Sequence, residues 1–224
     1  MTSSRKTSLT AGICYLLTFV SIPTLSLYGQ VHDPNYIVSP GPDTSIIIGA
    51  ILEWVVALSG IGTAIALYSV VKKQNEGFAL GFVGARVLEA TTMFVGIACL
   101  LTVVTLRQAG VGADAQVTGR ALVSMYDRMF LLGQSLMPAV NALLLGTLLY
   151  RSRLVPPALP LLGLVGAPLL VAADVAILFG LIDRISTLAA ITALPIALWE
   201  FALGVWLTVK GFDSQAIAAL EVNT

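Results

Sequence analysis

The sequence predicts an all-α, polytopic membrane helical bundle, and three observations carry that reading. Of 224 residues, 57% are hydrophobic and 11% charged, against about a quarter charged in an ordinary soluble domain. The mean hydropathy of +0.92 also excludes intrinsic disorder, which needs a chain poor in apolar residues. The apolar residues fall into six runs, each at least about the 20 residues that cross a ~30 Å hydrocarbon core as a helix. One transmembrane domain over residues 1–224, with six transmembrane helices, accounts for them.

The first span is expected over residues 9–28. Arg5 and Lys6 ahead of an apolar stretch also have the form of a secretory leader, but no small-x-small cleavage site follows Ile13 to Val20, so the span is expected to stay. The next loop contains Pro34, Pro40, Gly41 and Pro42, and Asp43, Thr44 and Ser45 can cap the second span, expected over residues 46–71. The third follows over residues 77–106. In the fourth, residues 121–150, Asp127, Gln134 and Asn141 recur every seven residues with Pro138 between them, a polar seam beside a helix break that could line a cavity. Pro156 and Pro157 suit the first turn of the fifth span, residues 158–182. The sixth covers residues 187–209.

An even number of spans puts both termini on one side. One face collects Arg5, Lys6, Lys72, Lys73, Arg151, Arg153 and Lys210, the other Arg107, Arg120 and Arg184. The positive-inside rule therefore places the N and C termini in the cytoplasm, with the protein multi-pass in a plasma membrane. Leu80 to Ala85 matches Leu162 to Ala167 at five of six positions, and Tyr68 falls on Tyr150 at the same offset of 82. The second and third spans thus read either as a duplicated relative of the fourth and fifth or as coincidence among abundant small residues.

Lys plus Arg and Asp plus Glu both number 12, so no basic excess argues for nucleic acid. Cys14 and Cys99 lie in apolar runs at different depths and read as small buried residues rather than a disulfide. His32, the one histidine, sits in a loop beside Asp33 and Pro34, which excludes His-rich zinc hydrolases and His-based triads. No metal-ligand cluster, nucleotide loop or nucleophile with an adjacent base is found, so no cofactor and no metal are expected.

Three blocks together carry a family resemblance: Asn75-Glu76-Gly77-Phe78 running on to Arg86-Val87-Leu88-Glu89, Leu149-Tyr150-Arg151 through Pro156, and Leu194-Pro195 through Trp199-Glu200 to Phe212. The chain resembles the bacterial integral-membrane family catalogued as domain of unknown function 4386. The resemblance implies a compact multi-span protein of the bacterial inner membrane and supplies no activity.

Chemistry must then come from ionisable residues inside spans, which are costly and mark candidate sites. They are Glu53, Arg86, Glu89, Asp127, Arg128, Asp174 and Glu200. Counting about 1.5 Å per residue along each helix puts Arg86 and Glu200 at one level, Glu53 and Glu89 near the midplane, and Asp127, Arg128 and Asp174 in the outer half. Arg86 is expected to pair with Glu200 and to share a helix side with Glu89, and Arg128 is expected to meet Asp174 or Asp127. Gly49, Glu53, Ala57, Gly60 and Ala64 form a small-residue stripe, as do Gly81 to Cys99 around Glu89 and Ala193 to Thr208 around Glu200. Such stripes serve close helix packing or, where they carry a carboxylate, border a pocket. Trp54 and Trp199 adjoin two of the glutamates and either pack or flank an organic cation.

Three functions follow. The first is a proton- or cation-coupled small transporter, or a binding protein for a small molecule or cation, with Glu53, Glu89 and Glu200 around a cavity and Arg86 as counter-charge. Six spans are few for this, so a homodimer is an expected partner beside the lipid bilayer. The second is a non-enzymatic membrane partner or sensor whose charges only hold the bundle. The third, ranked last, is an intramembrane enzyme using paired carboxylates on a lipid.

Overall fold

The computed structural model describes residues 2–222, and those residues form helices and turns without a strand. Six segments are long and apolar enough to cross a membrane: Ser3–Leu27, Thr44–Val71, Glu76–Gln108, Gly112–Ser152, Ala158–Leu178 and Thr187–Val209. A short helix, Ser214–Val222, follows. The chain is a multi-pass membrane bundle. Consecutive spans pack on one another and the sixth closes on the first, making a ring in which the third also touches both halves of the fourth.

The start of the first span and the end of the sixth lie together at one end of this ring. Arg5 reaches across to the last turn of the sixth span, donating to the carbonyls of Leu207 at 3.0 Å and Thr208 at 2.6 Å. Those carbonyls lack intrahelical partners, and a cation there complements the negative end of the helix dipole.

Several boundaries differ from the sequence expectation. The first span starts at Ser3, not residue 9, because the Thr2 hydroxyl accepts from Arg5 N and caps it. The fifth stops at Leu178, short of the expected residue 182, because Gly180 at φ 69° takes the left-handed conformation that closes a helix. Asp43 occupies the cap position of the second span, yet its side chain does not cap. Its carboxylate instead accepts from Arg107, Gln108 and Tyr36. Arg107 also donates to the Ser39 carbonyl and lies over the Tyr36 ring. This clamp folds the Pro-rich loop onto the bundle, where Val31, Tyr36 and Ile37 join Leu100, Val103 and Tyr126 in a buried cluster.

Two spans are broken. The first is α-helical to Leu17, tightens to a 3₁₀ turn over Thr18–Ser21, and resumes as Thr24–Leu27 after Pro23, now packed on the second span. The fourth widens to a π turn over Leu131–Ser135, three residues before Pro138. A proline ring clashes with the carbonyl four residues back, and a wide turn relieves that crowding.

Elsewhere the small-residue faces receive rings. A Cβ on Gly163 would lie 2.5 Å from the Trp199 indole. Gly49 faces the Tyr28 ring, Gly96 faces Tyr126, and Gly12 lies against the backbone of Gly204 and Thr208. At Gly49, Gly96 and Gly204 the stripes therefore act as close-packing surfaces.

Candidate functional site

The centre of the bundle is charged. Arg86 is 1% exposed, and its guanidinium donates to both oxygens of Glu89 at 3.2 and 3.0 Å and to Glu200 Oε1 at 2.6 Å. Asn141 Nδ2 donates to Glu89 Oε2 at 2.8 Å. The rings of Tyr15 and Phe82 lie 5.3 and 5.8 Å from the guanidinium carbon, within cation–π reach. Helical spacing accounts for the Arg86–Glu89 pair, three residues apart on one side of the third span. The sixth span brings Glu200 because Gly163 admits Trp199 on its adjacent face.

One guanidinium between two carboxylates leaves one uncompensated negative charge whenever both acids are ionised. In a bundle interior that charge is expensive unless a proton or a cation neutralises it.

The cluster forms the floor of a groove of about 330 Å³, whose walls include Phe19, Ile22, Leu25, Gln134 and Ser135. Both span breaks border it. A second hollow of about 510 Å³ shares Leu25, Phe130, Ser135, Leu170 and Ala193 with the first and continues to Asp174, Arg184 and Ile185. The groove thus runs from the loop end of the bundle to the cluster, between the first span and the fifth and sixth. Ile22 and Leu25 in its walls are each 62% exposed. Phe19 meets Phe201 edge-on at 5.4 Å, and beyond Pro23 the first span packs on the second.

The other expected site residues separate. Glu53 does not join Glu89 and Glu200. It is fully buried and accepts from Tyr126 Oη at 2.9 Å and Gln134 Nε2 at 3.2 Å. Gln134 lines the groove and stands between it and Glu53. Trp54 is 42% exposed and points away from any site, since it falls on the outer side of a helix whose inner side carries Glu53. Trp199 is in the core on Gly163, outside the groove lining. Arg128 is exposed and meets neither Asp127 nor Asp174. Adjacent residues diverge by about 100° on a helix, and Asp127 takes the inward direction. Asp174 accepts from Ser135 Oγ at 2.6 Å.

Asp127 is instead a tie between loops. It accepts from Arg184 at 2.7 Å and from His32 Nε2 at 3.1 Å. His32 Nδ1 faces the Tyr28 carbonyl at 2.9 Å, so both ring nitrogens face acceptors and the geometry fits the imidazolium, which carries two N–H donors. The hydrogen bond that His32 donates to Asp127 raises the His32 pKa above its ordinary value, burial opposes it, and the Tyr28 carbonyl adds to the rise. Arg184 and Leu25 place this tie at the mouth of the groove.

Sequence reasoning missed Tyr15, Tyr28, Tyr126, His32 and Arg184 as partners. The nearest signal was Tyr126, an aromatic directly before an intramembrane Asp on the seam that carries Gln134.

Comparison with known proteins gives one positive finding. The family model described as Domain of unknown function (DUF4386) matches residues 10–211, a stretch that contains the whole cluster and both span breaks. No curated protein and no solved structure matches the chain significantly.

Proposed function

We propose that this chain, which belongs to the DUF4386 family, binds a small cation in exchange for a proton at Arg86, Glu89 and Glu200, as a small coupled transporter or a membrane binding protein. One observation carries the reading: two carboxylates share one guanidinium at the floor of a groove that opens beside a broken span. Irregular backbone inside a membrane is tolerated where it lines a cavity, and transporters bind their ions at such breaks. In this reading the basic terminal face is cytoplasmic, the membrane is the bacterial inner membrane, and the groove lies in the outer half of the bundle. A homodimer would supply the second half that six spans lack.

The test uses protein reconstituted in vesicles with an imposed pH gradient and tetraphenylphosphonium as probe. Protein-dependent, gradient-sensitive accumulation or binding is expected, and it should be lost in Glu200→Gln and Glu89→Gln. Equal behaviour of protein-free vesicles, or of both variants and the parent chain, would remove the reading.

A further inference from the structure

We infer that the groove takes an amphipathic cation, an ammonium head with one apolar chain, which enters sideways from the bilayer between the first and sixth spans. The inference rests on the cation-binding reading above and specifies its ligand. Three features of the groove set the ligand class.

The first is polarity along its length. The floor is the cluster with its uncompensated carboxylate, while the walls that the two hollows share are the apolar Leu25, Phe130, Leu170 and Ala193, with Ser135 the one polar side chain among them. A hydrated inorganic ion gains nothing from such walls. An alkyl chain of a few methylenes gains about 0.8 kcal/mol for each one buried from water.

The second is shape. The two hollows of about 330 and 510 Å³ meet end to end through those shared residues. Together they form an elongated cleft rather than a pocket closed around a compact ion. The Phe19 ring lines the part next to the cluster, where an ammonium group can lie against its face, while Phe130 already carries the Arg184 guanidinium at 4.8 Å.

The third is the way in. Ile22 and Leu25 present apolar side chains on the outside of the bundle as well as to the groove, so the cleft is continuous with the surface that faces lipid tails. After the 3₁₀ turn over Thr18–Ser21 and Pro23, the first span packs on the second. At the loop end Arg184, which donates to Asp127, lines the outer hollow, and His32, on the same carboxylate, lines the space beside it. The exposed side chains of Ile22 and Leu25 make the lipid side the apolar way in.

Equilibrium binding in lipid nanodiscs tests this, with empty nanodiscs as background and three probes: decyltrimethylammonium, tetramethylammonium and decyl sulfate. Decyltrimethylammonium is expected to bind about tenfold or more tighter than tetramethylammonium, a fraction of the full chain's burial, and decyl sulfate should show no protein-dependent binding. Ala193→Phe, which fills the junction of the two hollows, should weaken the decyl cation about tenfold. Leu25→Ser, at a wall position 62% exposed, should weaken it in the same direction. Equal affinity for both ammonium ions, lost together in Glu200→Gln, would overturn the amphiphile and leave the cation site standing. Preference for decyl sulfate, or no protein-dependent binding of any probe, would overturn both.

Discussion

Arg86 and Glu200, 114 positions apart in sequence, are joined by a 2.6 Å charge-assisted hydrogen bond at the centre of the bundle. With Glu89 they make the third and sixth spans a single electrostatic unit, although those spans are not neighbours in the ring. Breaking a buried pair by removing one partner costs about 3–5 kcal/mol, because the other charge stays buried. Arg86→Ala should therefore lower thermal stability of the detergent-solubilised protein severely. The exchange Arg86→Glu with Glu200→Arg should restore much of it, since the relocated guanidinium again faces two acids. If the exchanged protein is no more stable than Arg86→Ala, the pair does not hold these spans.

Glu53 needs a different experiment. Tyr126 and Gln134 donate to its Oε1, so a carbonyl oxygen at that place serves both. Glu53→Gln should be tolerated, whereas Glu53→Ala leaves the buried Tyr126 hydroxyl unsatisfied, at about 1–3 kcal/mol, and frees the half-buried Gln134 amide. Unfolding midpoints of the two variants decide it. Equal losses would show that the charge, not the acceptor, matters at this position.

The tie at the groove mouth should respond to pH. A histidine whose folded pKa lies above its unfolded value contributes stability that is fully present below the unfolded pKa and is lost as pH rises through the folded one. For His32 the Asp127 hydrogen bond raises it against burial, so the contribution should fade as pH climbs from about 6.5 upward. Both side chains are about one-third exposed, and solvent screening holds the effect to about 1 kcal/mol or less. Melting curves of the parent chain and His32→Asn should converge at alkaline pH and separate below it. Parallel curves throughout would remove His32 from the tie.

Close packing at Gly163 makes a sharper structural statement. A Cβ there would lie 2.5 Å from the Trp199 ring, and Trp199 sits beside Glu200 in sequence. Gly163→Ala should cost about 1–3 kcal/mol through overpacking and should shift Glu200 off Arg86. Trp199→Leu on the same background should recover stability. Without that recovery, the indole is not what excludes the methyl group.

The charged centre was legible in sequence because its signals were local and numerical. Arg86 and Glu89 are three residues apart, and helix rise places Glu200 at the level of Arg86. The split of Glu53 from that centre was not legible. Rise per residue gives height but not direction across the bundle, and Tyr28 and Tyr126 look like any interfacial aromatics until a loop and a span bring them together. Pro138 announced its break inside a polar seam, whereas Pro23 sits on a span with no intramembrane charge, so nothing drew attention to it. Arg128 was misassigned because its neighbour Asp127 found partners in two loops, and the Arg107 clamp that folds the first of them leaves no trace in hydropathy.

Proton counting tests the central claim most directly. If Glu89 and Glu200 share one proton that a bound cation displaces, adding decyltrimethylammonium to weakly buffered nanodisc protein should release about one proton per chain near neutral pH. Glu89→Gln and Glu200→Gln should release none. Binding without proton release in the parent chain, or release that persists in both variants, would contradict an exchange site at Arg86.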